Sequence, residues 1–139
     1  MAVAKWAAPG TRSSNFAGSP SAFNSLANGS ESAVVTYDNS SNRNLYGAVT
    51  LKLGSITPAA GGYVTLRITL YDGTDTADKA AGDIYSATLL SGASAKVVIF
   101  PMVRIYPFSL RFSLINNSGV TLASSGNEIY LTPYNEDVS

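Results

Sequence analysis

The stretch YVTLRITLY, from Tyr63 to Tyr71, decides the fold class. In an extended chain successive side chains point to opposite faces, so Val64, Leu66, Ile68 and Leu70 fall on one side and Tyr63, Thr65, Arg67, Thr69 and Tyr71 on the other. The first set is an unbroken apolar face. The β-branched and aromatic content suits a strand with one face in a core.

Working outward, the same grammar recurs. Leu45 to Leu53 places Leu45, Gly47, Val49, Leu51 and Leu53 on one face and Tyr46, Ala48, Thr50 and Lys52 on the other. Phe108, Leu110, Phe112 and Leu114 alternate with Ser109, Arg111, Ser113 and Ile115. Ala33 to Tyr37, Asp83 to Leu90, Lys96 to Tyr106 and Glu128 to Tyr134 complete seven runs, separated by Gly, Pro, Asn and Asp punctuation. Gly54 to Gly62, with Pro58, reads as a hairpin loop, and Asp72 to Gly82 as a long polar loop. Val97 to Leu110, broken by Pro101, Arg104 and Pro107, reads as strand, corner, strand. A further strand at Ala22 to Leu26 makes eight. The expectation is an all-β protein: an antiparallel β-sandwich, a jelly roll of about eight strands, with an immunoglobulin-like sandwich as the alternative.

Residues 1–30 differ in kind. Ala, Ser, Asn, Gly and Pro dominate, and Trp6, Phe16, Phe23 and Leu26 follow neither a period of 2 nor one of 3.6. The division expected is an N-terminal arm over residues 1–30 and a β-sandwich domain over 31–139, with the arm either disordered or extended and docked on a neighbouring surface.

Composition narrows function. The chain has no His and no Cys, which removes Ser-His-Asp and Cys-His catalysis, makes zinc unsuitable and leaves no disulfide. Glu31, Glu128, Glu136 and the aspartates are the only carboxylates for two-acid glycoside hydrolysis, and none lies in a motif that raises its pKa. The loop Asp72-Gly-Thr-Asp75-Thr-Ala-Asp78 lacks the ligand spacing of a calcium loop and reads as solvated. The expectation is therefore a non-enzyme with no cofactor and no metal. Nine basic and nine acidic residues balance, which argues against nucleic acid. No apolar run reaches the length of a membrane span, and the first residues lack a secretory apolar region. Charged residues make up only 13%, against roughly 25% in an ordinary globular protein, so the surface is either covered by Ser, Thr, Asn and Gly or partly hidden by partners. The sequons at Asn28, Asn39 and Asn116 are of the kind expected by chance in an Asn- and Ser-rich chain.

Two segments carry a resemblance. Asn44 to Ile68 (NLYGAVTLKLGSITPAAGGYVTLRI) and Leu122 to Val138 (LASSGNEIYLTPYNEDV) resemble a recurrent pattern in small virion proteins of tailed bacteriophages. The chain departs from that pattern in the loop after Tyr71, which is shorter. What the resemblance implies is a structural protein of the phage particle, most closely a capsid cement or decoration subunit on the outer capsid surface, with the major capsid protein as partner. A neck or tail component is the alternative within that class. Three-fold lattice positions suggest a homotrimer. A carbohydrate-binding module for host-surface glycans is the rival class, resting on exposed Tyr63, Tyr71 or Tyr106. The partner-binding candidates are Trp6, Arg12, Phe16 and Phe23 in the arm and Tyr63, Arg67 and Tyr71 on a sheet face.

Overall fold

The computed structural model describes residues 4–13, 20–78 and 82–138. Within them lie β1 (Ala4–Trp6), β2 (Val35–Asp38), β3 (Tyr46–Ile56), β4 (Tyr63–Thr69), β5 (Asp83–Thr88), β6 (Ser94–Arg104), β7 (Ser109–Asn117), β8 (Glu128–Tyr134) and β9 (Glu136–Val138). They form an all-β molecule in which every pairing is antiparallel. One sheet has the order β2-β7-β4-β5, a second β6-β3-β8, and β1 pairs with β9. Only β4 and β5 are both consecutive in the chain and adjacent in a sheet, so the other connections between the two larger sheets pass from one to the other.

The alternation expected for β4 and β7 is what builds the core. Val64, Leu66 and Ile68, together with Leu110, Phe112 and Leu114, are buried from the first sheet. Val49, Leu51, Leu53, Ile129 and Leu131 are buried from the second and belong to the same hydrophobic cluster. Each such side chain contributes roughly 1.5–3 kcal/mol through burial. Leu45 lies outside β3 and is exposed, because the strand begins one residue later. At Gly47 the inward position of β3 is closed by β8: an added Cβ there meets Leu131 Cγ at 2.8 Å.

Three local expectations are corrected. Ala22 to Leu26 is not a strand. A 3-10 helix spans Pro20–Phe23, since proline's fixed φ suits the first turn, and Asn24 N–H and Leu26 N–H bond back three residues to Ser21 and Phe23 carbonyls. Gly54 to Gly62 is not a hairpin loop, because β3 and β4 belong to different sheets. The alternation of Lys96 to Tyr106 shifts phase: Val98 and Phe100 point inward, then Val103 and Ile105 do. Pairing with β3 explains it. Gly47 lies opposite Val103 but Val49 opposite Phe100, so one extra residue is accommodated at Pro101 and Met102. Proline is tolerated there because β6 is an edge strand.

The segment 4–13 runs along β8 and β9 of its own chain. Beyond the β1–β9 pairing, Ala7 N–H donates to Asn135 O at 2.9 Å and Gly10 N–H to Pro133 O at 2.7 Å. Ser13 and Leu131 exchange backbone bonds of 2.8 and 3.0 Å. This segment thus covers the edge of the second sheet that β6 does not form. Two of the sequon asparagines are structural: Asn39 and Asn116 are fully buried. Asn39 Nδ2 donates to the carbonyls of Asn44 and Tyr106, and Asn116 Nδ2 to those of Leu26 and Val120.

Candidate docking face

The outer face of the β6-β3-β8 sheet carries side chains that the core does not use. On β3 these are Tyr46, Ala48, Thr50 and Lys52, and their register partners on β8 are Tyr134, Thr132, Tyr130 and Glu128. On β6, Val97 lies opposite Lys52, Ile99 opposite Thr50 and Arg104 opposite Tyr46, with Met102 in the bulge between. The β6 row is solvent-exposed despite its chemistry: Val97 at 61%, Ile99 at 57% and Met102 at 52%. Leu90, in the loop before β6, is 83% exposed. Isolated exposed apolar residues are ordinary, but a row along one long edge strand is the kind of surface that interaction sites use.

The N-terminal segment furnishes the other half of the face. Trp6 meets Tyr46 edge-on at 5.7 Å and Tyr134 at 5.4 Å between ring centroids, while Tyr46 and Tyr134 stack at 5.6 Å. The Tyr134 hydroxyl reaches across to donate to Pro101 O at 2.7 Å, and burial raises its pKa above the ordinary phenol value. Between the Trp6 cluster and β6 lies an apolar cleft of about 480 Å³, floored by Ala48 and Thr132 and walled by Trp6, Pro9, Met102 and Tyr134. Arg12 lies over the Tyr130 ring at 3.5 Å and Lys52 approaches the same ring at 5.6 Å. The Tyr130 hydroxyl donates to Glu128 Oε2, which raises the phenol pKa.

Of the sequence candidates, the structure brings Trp6 and Arg12 onto this face. Phe16 lies outside the described residues. Phe23 is 0% exposed and packs in the core, which removes it as a docking side chain. Tyr63, Arg67 and Tyr71 belong to the other sheet and its following loop. Tyr63 is 42% exposed, whereas Arg67 Nε donates to Glu31 Oε1 at 2.9 Å, an oxygen that also accepts from Ser113 Oγ at 2.6 Å. Arg111 lies over the Tyr71 ring at 4.0 Å and Phe108 meets that ring edge-on at 6.3 Å. Tyr63 and Tyr71, eight residues apart on an extended path, are separated by ~27 Å and form no common groove. Tyr71 and Tyr106 do line one smaller cleft of about 270 Å³ with Phe108, Asp72 and Asp75.

Sequence reasoning missed Val97, Ile99, Met102, Tyr46 and Tyr134. The available signal was the run VVIFPMV from Val97 to Val103, apolar at every position in a strand that one-sided burial does not require. Among the carboxylates, hydrogen bonds from Ser40 hold Asp38 below its ordinary pKa, and the N–H groups of Asp75 and Thr74 do the same for Asp72. That direction is opposite to what a glycosidase's general acid requires. Among the described residues no group of three or more potential metal ligands gathers, and no helix is long and apolar enough to cross a membrane.

No protein family, curated protein or solved structure matches the chain.

Proposed function

We propose that this chain is a virion structural protein, a capsid cement subunit that docks on the outer surface of the assembled head through the outer face of the β6-β3-β8 sheet. The observation that carries the reading is the exposed apolar row Val97, Ile99 and Met102 beside the Trp6 cleft. A surface of that kind in a chain with so few charges gains most from being covered. The resemblance of Asn44 to Ile68 and Leu122 to Val138 to small phage virion proteins supplies the class of partner. A subunit that binds the assembled lattice and not its dissociated parts shifts the assembly equilibrium by mass action, with no catalytic group needed.

The finer fold belongs to the same proposal. Counting the segment 4–13 as the first strand gives the orders 1-8-3-6 and 2-7-4-5, the arrangement of a jelly roll. The open edges β2 and β5 then remain for a homotrimer. Electron microscopy of the purified particle tests the assignment: density for this chain on the outer capsid is expected, with β6 facing the shell. Finding the chain only in the tail, or absent from mature particles, overturns it.

A second reading, a glycan-binding module, is favoured by the Tyr71–Tyr106–Phe108 cleft, where aromatic rings meet the Asp72 and Asp75 loop. A glycan array separates the two readings, since the cement reading expects no binder above background.

A further inference from the structure

The segment 4–13 is held differently from the strands of the two larger sheets. Each of those strands sets side chains in the core or against it, whereas no residue of 4–13 is buried and none packs on the core cluster. What fixes the segment is a ladder of backbone bonds, β1 on β9 and then Ala7 on Asn135, Gly10 on Pro133 and Ser13 on Leu131. Surface contacts add to it: Trp6 against Tyr46 and Tyr134, Arg12 over Tyr130, and a Lys5–Asp137 pair at 4.0 Å with both side chains more than half exposed. Each such contact contributes little net, because water offers the same groups a partner. Lifting the segment takes no side chain out of the core.

The same segment walls two clefts. Trp6, Ala7 and Pro9 line the apolar cleft of about 480 Å³. Gly10, Thr11 and Ser13 line a polar one of about 590 Å³, completed by Tyr37, Asp38 and Asn42. Neither keeps that wall once the segment leaves. Gly10 marks how closely the segment must approach: an added Cβ there meets Pro133 Cγ at 2.9 Å and Pro133 O at 3.3 Å.

We infer that segment 4–13 is a two-state strap, docking and leaving as one unit, and that its equilibrium couples the two clefts. A unit with exposed side chains and edge bonds sits at the low end of local stability, far below the core strands. A ligand that needs the strap's wall in either cleft binds the docked state alone, so it holds the strap down and completes the other cleft. The inference concerns the free chain and stands whether or not the apolar cleft docks on a capsid.

The test is residue-resolved hydrogen exchange on the full-length, isotope-labelled chain. The amides of Ala7, Gly10, Ser13 and Leu131 are expected to share one protection factor, lower than those of β4 and β7 by about 100-fold or more. Leu131 is the discriminating member, because its side chain is fully buried while its N–H bonds to Ser13 O. Gly10→Val, which the close approach to Pro133 cannot accommodate, is expected to lower the protection of Ala7, Ser13 and Leu131 by about another 10-fold. It should also open Trp6, the single tryptophan, to acrylamide quenching, while the amides of β4 and β7 do not change. Since Gly10 lines one cleft and Trp6 the other, that response reads the coupling itself. Ala8→Val adds bulk at an exposed position of the same segment and is expected to do nothing. Strap amides that exchange only together with those of β4 and β7 overturn the inference. So does a Gly10→Val effect that stops short of Ala7 and Trp6, which is fraying, and so does an equal effect of Ala8→Val.

Discussion

On β4 the residues that point away from the core, Thr65, Arg67 and Thr69, are buried or ion-paired, while on β6 the corresponding Val97, Ile99 and Met102 stand in solvent. Most of the polar outer face has found partners inside the molecule; Thr69 Oγ1 is buried without one among the described residues. Thr65 Oγ1 lies 2.8 Å from Ser86 Oγ, and the Glu31 carboxylate takes both Arg67 and Ser113. The apolar outer face has found only half of its cover, the segment around Trp6. Polar groups lose little in water and still became internal, whereas aliphatic side chains that gain most from burial were left outside. That inversion distinguishes a face largely satisfied by the chain's own groups from one left open to solvent, which is what the cement proposal uses.

The largest effect is expected from the pair Ile99→Asp and Met102→Ser. On the docking face it is expected to lower occupancy of bare heads by about 100-fold or more, from the lost burial of two large side chains and one introduced charge. The midpoint of urea unfolding should barely move, since both residues are exposed in the free protein. A large drop in the unfolding midpoint would mean that the row supports the fold and not a partner.

The mirror experiment is Glu31→Ala. Removing the shared acceptor leaves a largely buried Arg67 and a fully buried Ser113 without the Glu31 carboxylate, which is expected to cost about 2 kcal/mol in denaturant unfolding and leave occupancy unchanged. Equal losses in both measurements would dissolve the distinction between the faces.

Trp6→Ala lies between the two. Its edge-on contacts with Tyr46 and Tyr134 are each of the kind worth about 0.5–1.5 kcal/mol, reduced here because Trp6 is 54% exposed. A stability loss near 1 kcal/mol is expected by calorimetry, together with a fall in occupancy, because the substitution removes a wall of the cleft.

The smallest effect is alkaline. The Tyr106 hydroxyl donates to Asp83 Oδ2 at 2.6 Å, and this bond, with burial and the Asp83 charge, pushes its pKa from 10.0 up to about 12. The folded value is above the unfolded one, so the contribution is complete below pH 10.0 and is lost as pH rises toward about 12. Discounted for solvent screening it amounts to about 1 kcal/mol. Tyr106→Phe is expected to flatten the stability curve over that window; an unchanged alkaline limb would refute the coupling.

How much of this was legible follows from range. Val64, Leu66 and Ile68 needed only their own alternation to be placed in the core, and so did Leu110, Phe112 and Leu114. The position of the Trp6 segment depended on β8, more than a hundred residues later, and nothing local announces an edge partner at that distance. Arg67 looked available because its acceptor, Glu31, sits 36 residues away in a stretch with no strand pattern of its own. The β6 face was hidden for a different reason. A run apolar at every position fits a strand buried on both sides as well as an edge strand waiting for a partner, and only the pairing order separates them.

The extra residue at Pro101 and Met102 sets a rule about length that is separate from chemistry. Either side chain can be exchanged with little effect on the fold, since both are exposed. Deleting one of the two removes the bulge and keeps the facing: Phe100 and Val103 would then stand two apart, opposite Val49 and Gly47, so Val103 and Ile105 stay inward and Arg104 outward. A deletion elsewhere in the strand has no such slack and inverts every later position. Among related chains, changes of length along this edge should collect at Pro101 and Met102.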